Sequence, residues 1–465
     1  MRVLLVVLIV VGCGCPSRHV FPRLVQPRAA GPLLITDVAV FDGVNEALLE
    51  HRDVLTRGDR IERIAPHGEL GCDECAKLDG TGKTLIPGLV DSHVHLTGSP
   101  APPWHVSWPD EAHNGAALLA SGVTTAFDVG GDAAEIAAVA KAQREGRWLG
   151  PEFRYAGTLI TPRGGYPASM VRELFPWPVS AMVEGRFALQ VGTPEEARAA
   201  VEHNLAAGAS YIKVAVAQVP LEAPAFDAAL LHEVVAAAHA RGVKVVAHID
   251  TAAHALLAAR TGVDALVHGV HLGPLSVEQA AELARLGTVV APTLVVWDRV
   301  EQLAEHRFAP TALEQALYPE DFLRHFRPDE TTKHSLPGGL MRWIAKLQAS
   351  KRERFEAVKR LWEAGVPLLV GADDAGSVGC MTGAGFHEEL RLLREAGVPM
   401  LDVLRGATSE AARFWGGDFG VVREGARADL LLLDGNPLAD DAALGRVSTI
   451  IRAGVVLDRV PLSGT

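Results

Sequence analysis

The sequence predicts an α/β fold: a (β/α)8 barrel carrying a small β-sandwich built from its N- and C-terminal flanks. Three observations carry that reading. Across residues 88–415, apolar strand-like runs alternate with Ala-rich amphipathic stretches, the pattern of parallel strands joined by crossover helices. Across residues 33–85 the runs are short, alternate apolar with polar, and are separated by Asp-Gly and Gly-Asp turns; short strands return after Gly420, as in small antiparallel sheets. Polar residues able to bind a metal end several of the central runs, and a barrel gathers such ends at one mouth.

With 465 residues, 48% hydrophobic and 22% charged, the chain is an ordinary globular protein, able to bury a sizeable core and far too apolar to be disordered. A net charge of −12 without a sustained Lys/Arg block argues against nucleic acid or an anionic membrane as a partner for a basic face. Small molecules remain, and self-association stays open.

Taken in order, residues 1–15 hold one arginine, an apolar run over residues 3–11, and then small residues and cysteines. The run is shorter than the ~20 residues that span a bilayer and fits a signal peptide. Val10-Val11-Gly12-Cys13 resembles a bacterial lipobox, so the expectation is export to the cell envelope, with a lipid on Cys13 as the membrane contact. Residues 16–32, rich in Pro and Arg, would be a tether, residues 33–85 and 416–465 the sandwich, and residues 86–415 the barrel. Cys72 and Cys75 form a lone C-x-x-C, too few ligands for a structural zinc, and are read as a loop disulfide. Cys380 is read as a free, small hydrophobe.

Barrel strands are expected at residues 85–95, 124–129, 211–216, 243–248, 265–268, 289–293 and 367–373. On the first, His93 and His95 stand at i and i+2 and share a face. Lys213, His248, His268 and Asp373 lie in or end later strands. Four imidazoles, a carboxylate and a lysine suit Zn²⁺ better than the hard cations, which prefer oxygen. A buried Lys213 is driven toward the neutral amine, which can add carbon dioxide and become an anionic bridge between two metals.

The span 33–460 resembles the amidohydrolase superfamily, in its imidazolonepropionase-like and Xaa-Pro dipeptidase-like branch. The residues that carry the resemblance are Ile86-Pro87-Gly88-Leu89-Val90-Asp91-Ser92-His93-Val94-His95, Ser121-Gly122-Val123-Thr124-Thr125, Tyr211-Ile212-Lys213, Val246-Ala247-His248, Val267-His268-Gly269, Gly371-Ala372-Asp373 and Gly425-Ala426-Arg427-Ala428-Asp429. The resemblance implies two metals: His93, His95 and Asp373 on one, His248 and His268 on the other, and carboxylated Lys213 between them. Asp373 rather than Asp374 stands at the family's Gly-x-Asp position. Such a pair acidifies water and polarises a carbonyl, with Asp373 as general base and then general acid. The expected reaction is hydrolysis of C–N bonds in small amides, with dipeptides or N-acyl amino acids leading. The alternatives are a cyclic-amide hydrolase of the imidazolonepropionase type, which does not need Lys213, and a non-catalytic lipoprotein binding module.

Substrate contacts are less legible. Tyr166 stands where relatives often carry histidine in Gly-Gly-His, and is read either as a donor to an oxyanion or substrate carboxylate or as a packed loop residue. Arg163 is read either as a carboxylate partner or as an exposed arginine. Residues 297–351 form a long connection, either a lid or a helical insertion. His387 is expected near the start of a helix by the mouth, outside the ligand set.

Overall fold

The computed structural model describes residues 19–28, 30–105 and 107–460; the expected signal peptide and the lipobox with Cys13 lie outside them. The flanking strands are β1 (Val25–Pro27), β2 (Leu33–Val40), β3 (Leu49–Arg57), β4 (Arg60–Pro66), β5 (Ala76–Asp79) and β6 (Thr84–Pro87). The central ones are β7 (Leu89–Val94), β8 (Val123–Asp128), β9 (Glu152–Tyr155), β10 (Leu159–Pro162), β11 (Ala188–Val191), β12 (Ile212–Ala215), β13 (Val245–His248), β14 (Ala265–Val267) and β15 (Val289–Ala291), followed by the C-terminal β16 (Leu430–Leu433), β17 (Val447–Arg452) and β18 (Val455–Arg459).

The flanks interleave in one nine-stranded sheet, β1-β18-β17-β16-β6-β2-β3-β4, with β5 beside β2. This hydrogen-bonded path is continuous and is not divided into two separate sheets. Strand β2 makes the continuity possible. Its register shifts between Ile35 and Val38 and again before Val40, so its first half pairs with β5 and its last residues with β6. Irregularities of this kind bend a strand and change its partner. The buried Asp53 carboxylate accepts from Asp37 N at the bend (2.9 Å), and Ile35, Val54, Leu85, Leu430 and Ile451 form part of the apolar core behind it.

The central strands are parallel and form two sheets, β7-β8-β9 and β11-β10-β12-β13-β14-β15. Local sequence starts and stops the intervening helices. Asp132, Thr193, Asp227, Thr251 and Ser276 each cap a helix N-terminus through the side chain, satisfying amides that have no partner within the helix. Gly262 (φ +94°) and Gly287 (φ +71°) stop two of these helices in the left-handed conformation that glycine tolerates. The expected strand at 367–373 is present only as isolated bridges, Val290 with Leu368 and Val94 with Asp374. Asp373, at φ +55°, cannot continue a regular ladder. The segment still bonds both neighbours: Leu369 N donates to Val290 O (2.8 Å), and Ser92 N donates to Val370 O (2.9 Å).

The long connection after β15 is helical, with helices Leu294–Ala304, Ala312–Leu317, Gly338–Ala349 and Lys351–Glu363 among its elements. Two buried ion pairs lock it: Arg299 with Glu314 at 2.9 Å, and Arg354 with Glu301 at 2.5 Å. Arg354 also donates to Leu347 O (3.1 Å), which clamps the end of helix Gly338–Ala349. Cys72 and Cys75 are joined in a disulfide, and Cys380 is a buried free thiol. Among the described residues no helix is long and apolar enough to cross a membrane.

Removing one member of a buried pair strands the other charge. Arg354→Met should therefore lower the unfolding free energy by about 3 kcal/mol in chemical denaturation, because Glu301 would keep only the half-exposed Lys351, 3.2 Å away.

Candidate metal centre

Strand β7 is buried along its whole length, and the alternation that packs it leaves His93 and His95 facing the same way. Asp91 sets their position. One of its carboxylate oxygens accepts from His93 N (2.9 Å) and Ala372 N (3.2 Å), tying β7 to the segment that carries Asp373. His93 Nε2 and His95 Nε2 each lie 3.0 Å from Asp373 Oδ1. The coordinating atoms of His93, His268 and Asp373 all lie within 4.8 Å of one another. His248, the last residue of β13, has its ring 3.9 Å from that of His268, the two planes tilted by 46°. Ala215 is the register partner of His248, and Lys213 lies two residues earlier on the same strand, on the same face and almost fully buried. The structure thus brings His93, His95, His268 and Asp373 together with His248 alongside, and places Lys213 on the adjoining strand.

Two of them occupy the left-handed region, His268 at φ +73° and Asp373 at φ +55°, as does Thr293 at +48°. Such residues cost on the order of 1–3 kcal/mol each and persist where surrounding bonds over-determine them. Here His268 N donates to Ala291 O (2.9 Å), His268 Nδ1 lies 2.8 Å from Thr293 Oγ1, and Trp297 Nε1 donates to His268 O (3.2 Å). Gly376 makes room for the other side. A Cβ there would fall 2.1 Å from His95 Cδ2 and 2.5 Å from Asp373 Oδ1.

Burial governs the protonation states. It pushes His93 down to about 3 and holds His248 and His268 well below the usual imidazole range, and the nearby Lys213 charge acts in the same direction on all three. Burial also brings Lys213 down to about 7, against the pull of Asp373 and Asp128. Desolvation alone would raise Asp373, yet His93 and His95 hold it well below the ordinary carboxylate range. Burial would lower His95, but its bond to Asp373 lifts it. His93, His248 and His268 therefore present lone pairs. His248 Nε2 has no hydrogen-bond partner among the described residues, and His93 Nε2 lacks hydrogen-bond geometry despite its closeness to Asp373. Converging unprotonated donors without partners fit a borderline divalent cation.

Of the two candidate substrate residues, only Tyr166 lies against the site, its ring 4.8 Å from His248. Arg163 is exposed and paired with Glu196; its guanidinium is satisfied on the surface, away from the ligands. His387 lies in helix Ala384–Glu395 and bonds Ser121 O (2.8 Å), next to the start of β8 and not at the strand ends that carry His93 and His248. Sequence reasoning missed Asp91, Thr293, Trp297 and Gly376 as supports. Asp91 could have been found from its i−2 relation to His93, whereas the others act through contacts with no local pattern.

Histidines, a lysine and a carboxylate thus meet at or near the ends of parallel strands, and His93, His268 and Asp373 form a group that could hold a metal ion. Residues 84–457 match the Amidohydrolase family, and the chain belongs to it. It is 34% identical over 82 residues to an imidazolonepropionase of Rubrobacter xylanophilus, covering 17% of this chain and 19% of that protein. It is 31% identical over 83 residues to an adenine deaminase of Chelativorans sp., covering 18% and 14%. These stretches span less than a fifth of either relative. Likeness to solved structures extends much further: a putative prolidase from Bifidobacterium longum is 26% identical with a TM-score of 0.70, covering 93% of this chain and 95% of that one. A Xaa-Pro dipeptidase with bound methionine, 24% identical, shares the fold at a TM-score of 0.73, covering 92% and 99%.

Gly376→Ala should lower the metal content measured by elemental analysis while leaving the far-UV circular dichroism unchanged. Full metal content in that variant would mean that the loop yields without moving His95 or Asp373.

Proposed function

We propose that the chain hydrolyses C–N bonds in small amides, with dipeptides or N-acyl amino acids as the leading substrates. The observation that carries this reading is the contact of His93 and His95 with Asp373 beside a buried Lys213. In this reading the two parallel sheets and residues 367–374 form a (β/α)8 barrel spanning 86–415, and the flanks form its companion domain. His93, His95 and Asp373 would hold one ion, His248 and His268 a second, with Zn²⁺ the best match to the donors, and carboxylated Lys213 would join them. Bound metal would supply Lewis acidity, lowering the pKa of water and polarising the scissile carbonyl.

The protein's own groups do the rest. Asp373 Oδ1 faces the two histidines, and Asp373 Oδ2 accepts from Ser377 Oγ (2.5 Å), which fixes the plane of the carboxylate. That carboxylate takes the proton of the attacking water and returns it to the leaving nitrogen. The buried walls exclude bulk water, and the fixed dipoles around the site then act at low dielectric. Lys213 favours the dipeptide-type reading over the imidazolonepropionase-type alternative, which has no role for a buried amine. The Cys72–Cys75 disulfide supports an oxidising compartment and so agrees with export and with a lipid on Cys13.

Metal-loaded protein should hydrolyse at least one member of a dipeptide and N-acyl amino acid library, and chelation should abolish the activity. Asp373→Asn should cut kcat about 10²–10⁴-fold with a smaller change in KM. No hydrolysis across the library would overturn the reading.

Only the neutral amine adds carbon dioxide, so ¹³C-bicarbonate incorporation into metal-free protein, followed by NMR, should rise as pH increases through about 7. The signal should vanish in Lys213→Ala. Unchanged activity in that variant would eliminate the bridge.

A further inference from the structure

His248 and His268 border an aromatic and apolar cluster that the proposed chemistry does not use. Trp297 lies 5.5 Å from the His268 ring, and His271 stacks on Trp297 at 3.7 Å. Trp343 lies 5.9 Å from Trp297 and 6.2 Å from His271. Leu272 and Leu340 complete a buried floor, while Tyr166, Leu221 and Leu336 form a half-buried rim. Helix Gly338–Ala349 brings Trp343 and Leu340 to this place, and the Arg354–Glu301 pair holds its end.

Two buried polar atoms in the cluster have no partner among the described residues: His271 Nε2 and Trp343 Nε1. His271 Nδ1 lies 3.3 Å from Gly269 O. That contact assigns the ring proton to Nδ1 and leaves Nε2 as an acceptor, whereas the indole nitrogen can only donate. An unmatched acceptor and an unmatched donor on neighbouring rings are unfavourable in an apolar setting. Beside His248 and His268, two unmatched polar atoms among apolar walls are groups that a substrate entering the cluster would satisfy.

Building on the amide-hydrolase reading, we propose that this cluster seats an aromatic or large apolar group of the substrate. A polar group of the same substrate accepts from Trp343 Nε1 and donates to His271 Nε2, as a secondary amide or a hydroxyl can. Trp343 and His271 are specificity residues in this scheme. Arg354 and Glu301 position Trp343 through the helix.

The test compares N-acetylalanine, N-acetylphenylalanine and N-benzoylalanine as substrates of the metal-loaded protein. At least one aromatic compound should exceed N-acetylalanine in kcat/KM by about tenfold or more. Trp343→Ala should cut that ratio at least about fivefold, chiefly through KM, and Trp343→Phe should restore part of it by restoring the ring without its N–H. Equal kcat/KM for the three compounds in the wild type, or an unchanged ratio in Trp343→Ala, would overturn the proposal. If none of the three is hydrolysed, the reaction reading fails for them and the seat is judged by binding. Benzoate should then quench tryptophan fluorescence at concentrations at least about tenfold lower than acetate, and equal affinities would overturn the seat as well.

Discussion

The site depends on one joint, where the end of β7 meets the segment before Gly376. His95 N donates to Asp374 O and Asp373 N donates to His93 O, while the Asp91 carboxylate spans 281 residues to reach Ala372 N. Without this joint the first two histidines and the aspartate would be separate surface features. The joint carries an electrostatic cost. Burial first, and then neighbouring acids (Glu389 and Asp373 for Asp91, Asp91 and Asp373 for Asp374), push Asp91 and Asp374 well above the ordinary carboxylate range, so these acids resist ionisation while Asp373 beside them stays ionised. The three carboxyls of this buried layer thus fall into two protonation regimes, set by whether imidazoles or other acids face them.

Work is divided between strands and insertion. Strand ends supply reactive groups whose backbone is fixed by neighbours, which is why left-handed residues such as His268 survive there. The helices after β15 supply the apolar surroundings of those groups. Trp297 belongs to both: its indole donates to the backbone of His268, and its face supports His271. Buried ion pairs at Arg299 and Arg354 are poor sources of net stability, but their directionality holds the helices in one arrangement beside His268.

Much of this was legible in the sequence. Strand alternation and the i, i+2 pair His93/His95 are local patterns, and the later ligands sit at the ends of runs whose periodicity shows them to be strands. The weak point was residues 367–373, whose apolar run reads as a strand but whose turn at Asp373 leaves only isolated bridges. Arg163 could not be placed because an arginine's direction depends on which acid it meets, here Glu196 on a following helix. Its neighbour Tyr166 depends in the same way on the insertion, but lands against His248. The single sheet of the flanks was hidden because it rests on register shifts in β2, and a bulge leaves little trace in hydropathy.

The interleaving of the chain's two ends in that sheet has a kinetic consequence. Strand β1 pairs with β18, and β6 pairs with β16, so strands from the start of the chain must wait for the last strands to be made before the sheet completes. Contacts this distant in sequence close slowly, because the entropy of the intervening loop is lost before they repay it. A nascent chain that stopped short of residue 430 would leave β6 without its β16 partner and its backbone edge open to other chains. Protection of this sheet from aggregation is therefore a late event in the life of the molecule, complete only once its C-terminal strands have docked.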